Sequence, residues 1–190
     1  MQSSIDGSAM AEQNGTEEAG RSTTPERGGR YPGGYRTPSE SVVETTKSLK
    51  YEDINGYGRL FGGRLMEWID ETAGLAAVRH CCNMVTTAAV DNLQFKAGAG
   101  LGDIIVIIAR VTYVGHTSVE VRVDTYVEEV ETGTRRPINR AFLTEVCVDA
   151  DGRPVPVRFG LIPQIEGEKA DYEGAQRRIA LRRQRREEGF

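Results

Sequence analysis

Residues 55–82, NGYGRLFGGRLMEWIDETAGLAAVRHCC, allow one long helix, and the chain from there to residue 149 reads as strand. The helix is expected from Gly62 to about His80. At 3.6 residues per turn, Leu65, Ile69, Thr72 and Leu75 or Ala76 fall on one apolar stripe suited to packing across a sheet. Four strand candidates come after it: Met84 to Lys96, Asp103 to Val114, Thr117 to Val130 and Pro137 to Asp149. ETGT at 131–134 and DADG at 149–152 supply hairpin-type turns. A further strand, SVVETTKSL from Ser41, precedes the helix. The expected architecture is α+β, a long central helix wrapped by an antiparallel sheet, with a basic helix at the C-terminal end.

Two strands carry extra information. In the third, Val119, Val121, Val123 and Val127 share one face while Glu120, Arg122, Asp124 and Glu128 share the other. The second contains IIVIIA, Ile104 to Ala109, apolar on both faces. With one long helix in the core region, too little chain is left to cover both sides of such a strand, so a second subunit is expected there.

The helix has a second face bearing Gly63, Met66, Asp70, Ala73, Gly74 and Ala77, which places one carboxylate among small residues. Gly74 costs helix propensity, so a close approach by another element or a ligand is expected there. A helix start leaves N–H groups without intrahelical acceptors, and glycines at that start let an oxygen approach them closely. Phe61, Gly62 and Gly63 could therefore meet an oxyanion, although for an arbitrary helix the simpler reading is that the two glycines turn the chain and Asp70 is solvated. Glu71 falls instead on a charged stripe with Arg64 and Glu67, where a carboxylate is easily solvated. A carboxylate that can act as base or nucleophile, beside donors for an oxyanion, is what Asp70 and the 61–63 turn could supply.

Composition narrows the alternatives. The 190 residues suit one domain with tails: 1–40, rich in Gly, Ser, Thr, Glu, Arg and Pro, read as a disordered leader; 41–163 as the domain; 164–190 as the basic helix, about Lys169 to Glu187. A net charge of −4 argues against a general binder of nucleic acid or membrane surfaces. Cys81, Cys82 and Cys147 contain no CxxC and suggest neither a disulfide framework nor a zinc site, which fits a reducing cytoplasm. The sequence shows no apolar leader and no run long enough to span a bilayer. GAGLGD at 98–103 leads into a strand rather than a helix and is not a dinucleotide fingerprint. His80 reads as a helix-end cap for backbone carbonyls and His116 as part of the VGHTS turn; neither has a metal-ligand partner at useful spacing.

Asn55, Gly58, Phe61, Gly62, Gly63, Asp70 and Glu71 together resemble the signature of the hotdog-fold acyl-CoA thioesterases. The likeness continues through RHC at 79–81, VDNLQFK at 90–96, VTYVGHTSVEV at 111–121, ETGTRR at 131–136 and VDADGRPVPV at 148–157, and departs at Gly56, Arg59 and Gly98. The resemblance implies a hotdog fold and hydrolysis of acyl-CoA to free CoA and a carboxylate, with no metal or redox cofactor. Its catalytic pair would be Asp70, as base or nucleophile, and Asn55, completed across two hotdog units in a dimer or a trimer of dimers. Read from the residues alone, Asn55 is a turn former before Gly56. The resemblance places the CoA groove along Ala88, Ala89 and Val90, at Thr117 and Ser118, and at Arg177 or Arg178. Two other readings remain: an acyl-CoA-binding regulator with little turnover, and an oligomeric scaffold whose basic tail binds RNA, the latter disfavoured by the overall acidity.

Overall fold

The computed structural model describes residues 30–189. Its elements are β1 (Tyr35–Arg36), β2 (Val43–Ser48), α1 (Gly62–Cys81), β3 (Val85–Phe95), β4 (Ile104–Val114), β5 (Ser118–Glu128), β6 (Arg135–Cys147), β7 (Gly160–Leu161) and α2 (Glu166–Glu188). Five strands form one sheet in the order β2-β4-β5-β6-β3, with every neighbouring pair antiparallel. Period-2 alternation turns Ile105, Ile107 and Ala109 of β4, Val119, Val121 and Val123 of β5, and Ala141, Leu143 and Cys147 of β6 toward α1.

The stripe read from the sequence is the buried one at Leu65, Ile69, Thr72 and Ala76, joined by Trp68; Leu75 is exposed. The face of small residues divides. Ala73 and Ala77 are fully buried, because a methyl side chain lets the helix lie close on the sheet, whereas Met66 and Asp70 remain open. Among the described residues nothing approaches Gly74: a Cβ added there would meet open space.

The far side of the sheet corrects a second expectation. It is covered by α2 of the same chain, seated on the outward charges, rather than by a second subunit. Glu120 and Asp124 are each 2% exposed. Arg178 lies 2.7 Å from Glu120 and its guanidinium stacks 3.5 Å from the centre of the Phe142 ring, while Arg122 pairs with Asp171 at 2.7 Å. Tyr172 packs on Tyr113 at one end of β4. Val106, on the outward side of IIVIIA and paired in register with Thr46 and Tyr126, is already fully buried within one chain. The two-sided apolar strand therefore does not by itself require a second subunit.

The expected leader to residue 40 is also corrected at its end, while residues 1–29 lie outside the described residues. Tyr35 and Arg36 pair in parallel with Gly160 and Leu161, and a 3-10 turn follows at Pro38–Ser41. Arg36, not His80, caps α1, donating to the carbonyl oxygens of Arg79 and His80. His80 is fully buried, with Nδ1 2.8 Å from Ser41 Oγ and Nε2 3.2 Å from the Phe159 carbonyl. Burial is the main cause holding its pKa down at about 4, so the imidazole is neutral at pH 7.

Candidate active site

α1 begins at Gly62, and its first intrahelical bond runs from Leu65 N–H to Phe61 O at 3.1 Å. The N–H groups of Gly62, Gly63 and Arg64 precede that bond and have no intrahelical acceptor. A Cβ at Gly63 would stand 2.5 Å from the exposed Phe61 ring, which would have to swing aside. Two turns on, Asp70 faces a cleft of about 370 Å³ lined by Gly63, Met66, Glu67, Ile69, Val90, Leu93 and Leu143. The cleft is mostly apolar, and Asp70 is held at its wall: Thr87 Oγ1 on β3 lies 2.6 Å from Asp70 Oδ1. Glu71 points elsewhere, into a polar surface hollow with Lys47, Lys50 and Glu67.

Behind Thr87 stands a residue that sequence reasoning missed. Glu145 on β6 is fully buried and faces the helix side of the sheet, paired in register with Thr87 and Val119. Both of its carboxyl oxygens lie 3.2 Å from Thr87 Oγ1. Burial pushes its pKa up to about 7, with the Thr87 hydroxyl opposing the shift and the Asp70 charge adding to it. The signal was present in the sequence: alternation along β6 puts Glu145 between Leu143 and Cys147 on an otherwise apolar face. Thr87 gave less warning, since VTTAAV on an edge strand alternates weakly.

Asn55 is held in the loop before α1. Its Oδ1 accepts from the N–H groups of Tyr57 and Arg59 at 3.0 and 3.2 Å, which leaves the Nδ2 amide with no partner among the described residues. Asn55 does not line the Asp70 cleft of its own chain.

The remaining candidates separate into two places. Val90 lines the Asp70 cleft, and Phe61 stands exposed at the start of α1. Ala88, Thr117 and Ser118 line a second, larger hollow of about 610 Å³ together with His116, Arg182, Arg183 and Arg186. Ala88 falls at a register shift between Thr87 and Ala89, so the irregularity of β3 lies between the two hollows. Arg177 and Arg178 do not line the larger hollow: Arg177 is exposed beside Glu173, and Arg178 is pinned to Glu120. The basic side chains that reach the hollow lie one to two turns further along α2. Helical spacing groups Arg178, Arg182 and Arg185 on the face that meets the sheet, where Arg182 and Arg185 both pair with Asp91.

A long helix cradled in a five-stranded antiparallel sheet is the hotdog fold. The chain belongs to the thioesterase superfamily, whose family model matches residues 57–134. It is 37% identical over 147 residues to an uncharacterized acyl-CoA thioester hydrolase of Bacillus subtilis, covering 77% of this chain and 85% of that protein. It is 33% identical over 123 residues to the cytosolic acyl coenzyme A thioester hydrolase of Rattus norvegicus, covering 64% of this chain but 32% of that longer protein. Among solved structures, an acyl-CoA hydrolase from Staphylococcus aureus in complex with butyryl-CoA, CoA and CoA disulfide superposes with a TM-score of 0.77 at 33% identity, covering 81% of this chain and 93% of that one. An apo-hexameric acyl-CoA thioesterase gives 0.76 at 37% identity, covering 80% and 96%.

Proposed function

We propose that this protein hydrolyses acyl-CoA thioesters to free CoA and a carboxylic acid, with Asp70 as the working carboxylate and Asn55 supplied by a second subunit. The observation that carries the reading is the placement of Asp70 at the wall of an apolar cleft that also holds Gly63 at the start of α1. A thioester carbonyl seated there meets the carboxylate on one side and helix-start N–H donors on the other. Asp70 either takes a proton from the attacking water or attacks the carbonyl carbon itself to form a mixed anhydride that water then hydrolyses to the acid and free Asp70. In both routes the C–S bond breaks, the sulfur leaves as CoA thiolate and is protonated to the thiol. Asn55, with Nδ2 unspent, orients the water or the carbonyl.

The larger hollow suits the CoA portion. Its arginines match phosphate oxygens, and the 117–118 turn with the irregular Ala88 to Val90 segment offers backbone groups to the pantetheine arm. Association is supported by β3, an edge strand beside the exposed apolar side chains of Met66, Val90 and Phe95. A homodimer or a trimer of dimers fits, given a hexameric neighbour. A cytoplasmic setting fits the likeness to a protein named cytosolic. The Staphylococcus aureus hydrolase has been solved with an asparagine, an aspartate and a threonine each replaced by alanine, at the same intervals along its chain as Asn55, Asp70 and Thr87 here.

The test is a panel of acyl-CoA substrates, from acetyl to palmitoyl, assayed for released thiol with wild type, Asp70→Asn and Glu71→Gln. Asp70→Asn should lower kcat by at least ~10²-fold and Glu71→Gln should change it little. Equal losses in the two variants, or none for a folded Asp70→Asn, would defeat the assignment.

A further inference from the structure

Thr87 has one hydroxyl proton and stands between two carboxyl groups, 2.6 Å from Asp70 Oδ1 and 3.2 Å from both oxygens of Glu145. A separation of 2.6 Å is that of a hydroxyl donating to a carboxylate, whereas 3.2 Å is too long for such a charge-assisted bond and within reach only of a weaker one to a neutral carboxyl group. The proton therefore belongs to the Thr87–Asp70 bond. Glu145 is then left, fully buried, with no donor of its own: among the described residues it has neither an ion-pair partner nor a hydrogen-bond partner besides Thr87. A buried carboxylate in that position would be uncompensated, at a cost of several kcal/mol. Of the two acids Asp70 is exposed and Glu145 is not, so the buried one is the cheaper to keep protonated.

We propose that Glu145 is a neutral carboxylic acid that donates to Thr87 Oγ1 and thereby commits the Thr87 proton to Asp70, making Glu145 a positioning residue for the working carboxylate. The chain of bonds runs one way, from Glu145 O–H to the Thr87 oxygen and from the Thr87 hydroxyl to Asp70. It fixes the direction of the Asp70 carboxyl group at the cleft wall without touching substrate. This inference rests on the reading of Asp70 as the working carboxylate. The groups facing Glu145 are Asp70 from α1, Thr87 from β3, Val119 from β5, and Leu143 and Cys147 beside it on β6, the last paired with Cys81 of α1. None is a cation that would hold the carboxyl ionised. Once Glu145 loses its proton near pH 7, two carboxylates compete for one hydroxyl and the alignment of Asp70 is lost.

Glu145→Gln keeps a donor toward Thr87, and its kcat should stay within about twofold of wild type near pH 6. Glu145→Met, similar in length but without a donor, should lower kcat about tenfold with KM unchanged. Wild type should lose kcat as pH rises through about 7, and Glu145→Gln should lack that limb. Combining Glu145→Met with Thr87→Val should cost no more than Thr87→Val alone, since both break the same chain. An impaired, folded Glu145→Gln, or an unchanged alkaline limb in it, overturns the proposal even if Glu145→Met does not fold. A readout independent of turnover is the infrared C=O band of a protonated carboxyl, expected near pH 6, lost near pH 9 and missing from Glu145→Gln. Absence of that band in wild type refutes the neutral donor whatever the activity. A wild type that shows the band yet releases no thiol from any acyl-CoA sinks the thioesterase reading and leaves the neutral donor standing.

Discussion

Replacing Glu145 by Gln should change the stability of the protein in a way that depends on pH, with a size set by burial. The folded protein holds this carboxyl at a pKa of about 7 against an ordinary value of 4.5. Between those limits the folded chain keeps a proton that the unfolded chain has released. The resulting stabilisation is complete below about pH 4.5 and is lost as pH rises through 7. At about 1.4 kcal/mol per pH unit, the wild type loses roughly 2 to 3 kcal/mol from this group between about pH 5 and pH 8. Glutamine does not titrate, so the stability of Glu145→Gln relative to wild type should rise by that amount over the same interval. Urea unfolding at fixed protomer concentration reads it as a relative midpoint shift of about 1 M. A gap that stays constant from pH 5 to pH 8 would refute the reasoning, because it would mean that Glu145 ionises alike in the folded and unfolded chains.

His80 should show the opposite slope. Its folded pKa of about 4 lies below the ordinary 6.5, so its contribution is present above pH 6.5 and lost as pH falls through 4, and the deficit of His80→Gln should shrink on acidification. A deficit independent of pH would argue against a buried neutral imidazole. The arginines of α2 should divide by what they touch. Replacing Arg183 and Arg186 together by Gln should raise KM for acyl-CoA about tenfold without altering stability, whereas Arg178→Ala should destabilise by about 3 kcal/mol, by leaving buried Glu120 without its closest partner. An unchanged KM across a range of salt concentrations would make the first pair ordinary surface charges. Finally, co-refolding inactive Asn55→Ala with inactive Asp70→Asn should restore about a quarter of wild-type activity, since half the dimers are mixed and each has one intact site. A mixture that exchanges subunits yet stays inactive would rule out a site shared between chains.

Most of the fold was legible because periodicity is a local property. Leu65, Ile69 and Thr72 mark a helix, and Val119, Val121 and Val123 mark a strand, whatever packs on them. The features that escaped depend on contacts between segments far apart in sequence. The arginines of α2 look equivalent in a row, and only the sheet beneath them singles out Arg178 and Arg182. The open position of Asp70 was legible from its helical face. The role of its surroundings was not, because Thr87 and Glu145 meet it only once β3 and β6 have paired across the helix. Gly74 shows the opposite limit: a helix-weakening residue invited a packing explanation, and the described residues supply no neighbour for it.

The pairing of β1 with β7 bears on the order in which the chain assembles. Tyr35 and Gly160 lie far apart in sequence, with every strand of the main sheet between them, and two residues on each side give that junction few bonds to offset the entropy of closing so large a loop. The loop becomes short in effect only after the hairpins of β4, β5 and β6 have formed and α1 has docked, so this closure belongs late in folding, on the native side of the rate-limiting barrier. Gly160 is where it is most easily prevented, since the rings of Tyr31 and Tyr35 come within 2.6 Å of the place a Cβ would take. A Gly160→Ala chain should therefore fold at close to the normal rate and unfold faster, as expected when a contact is absent from the transition state and present only in the finished protein.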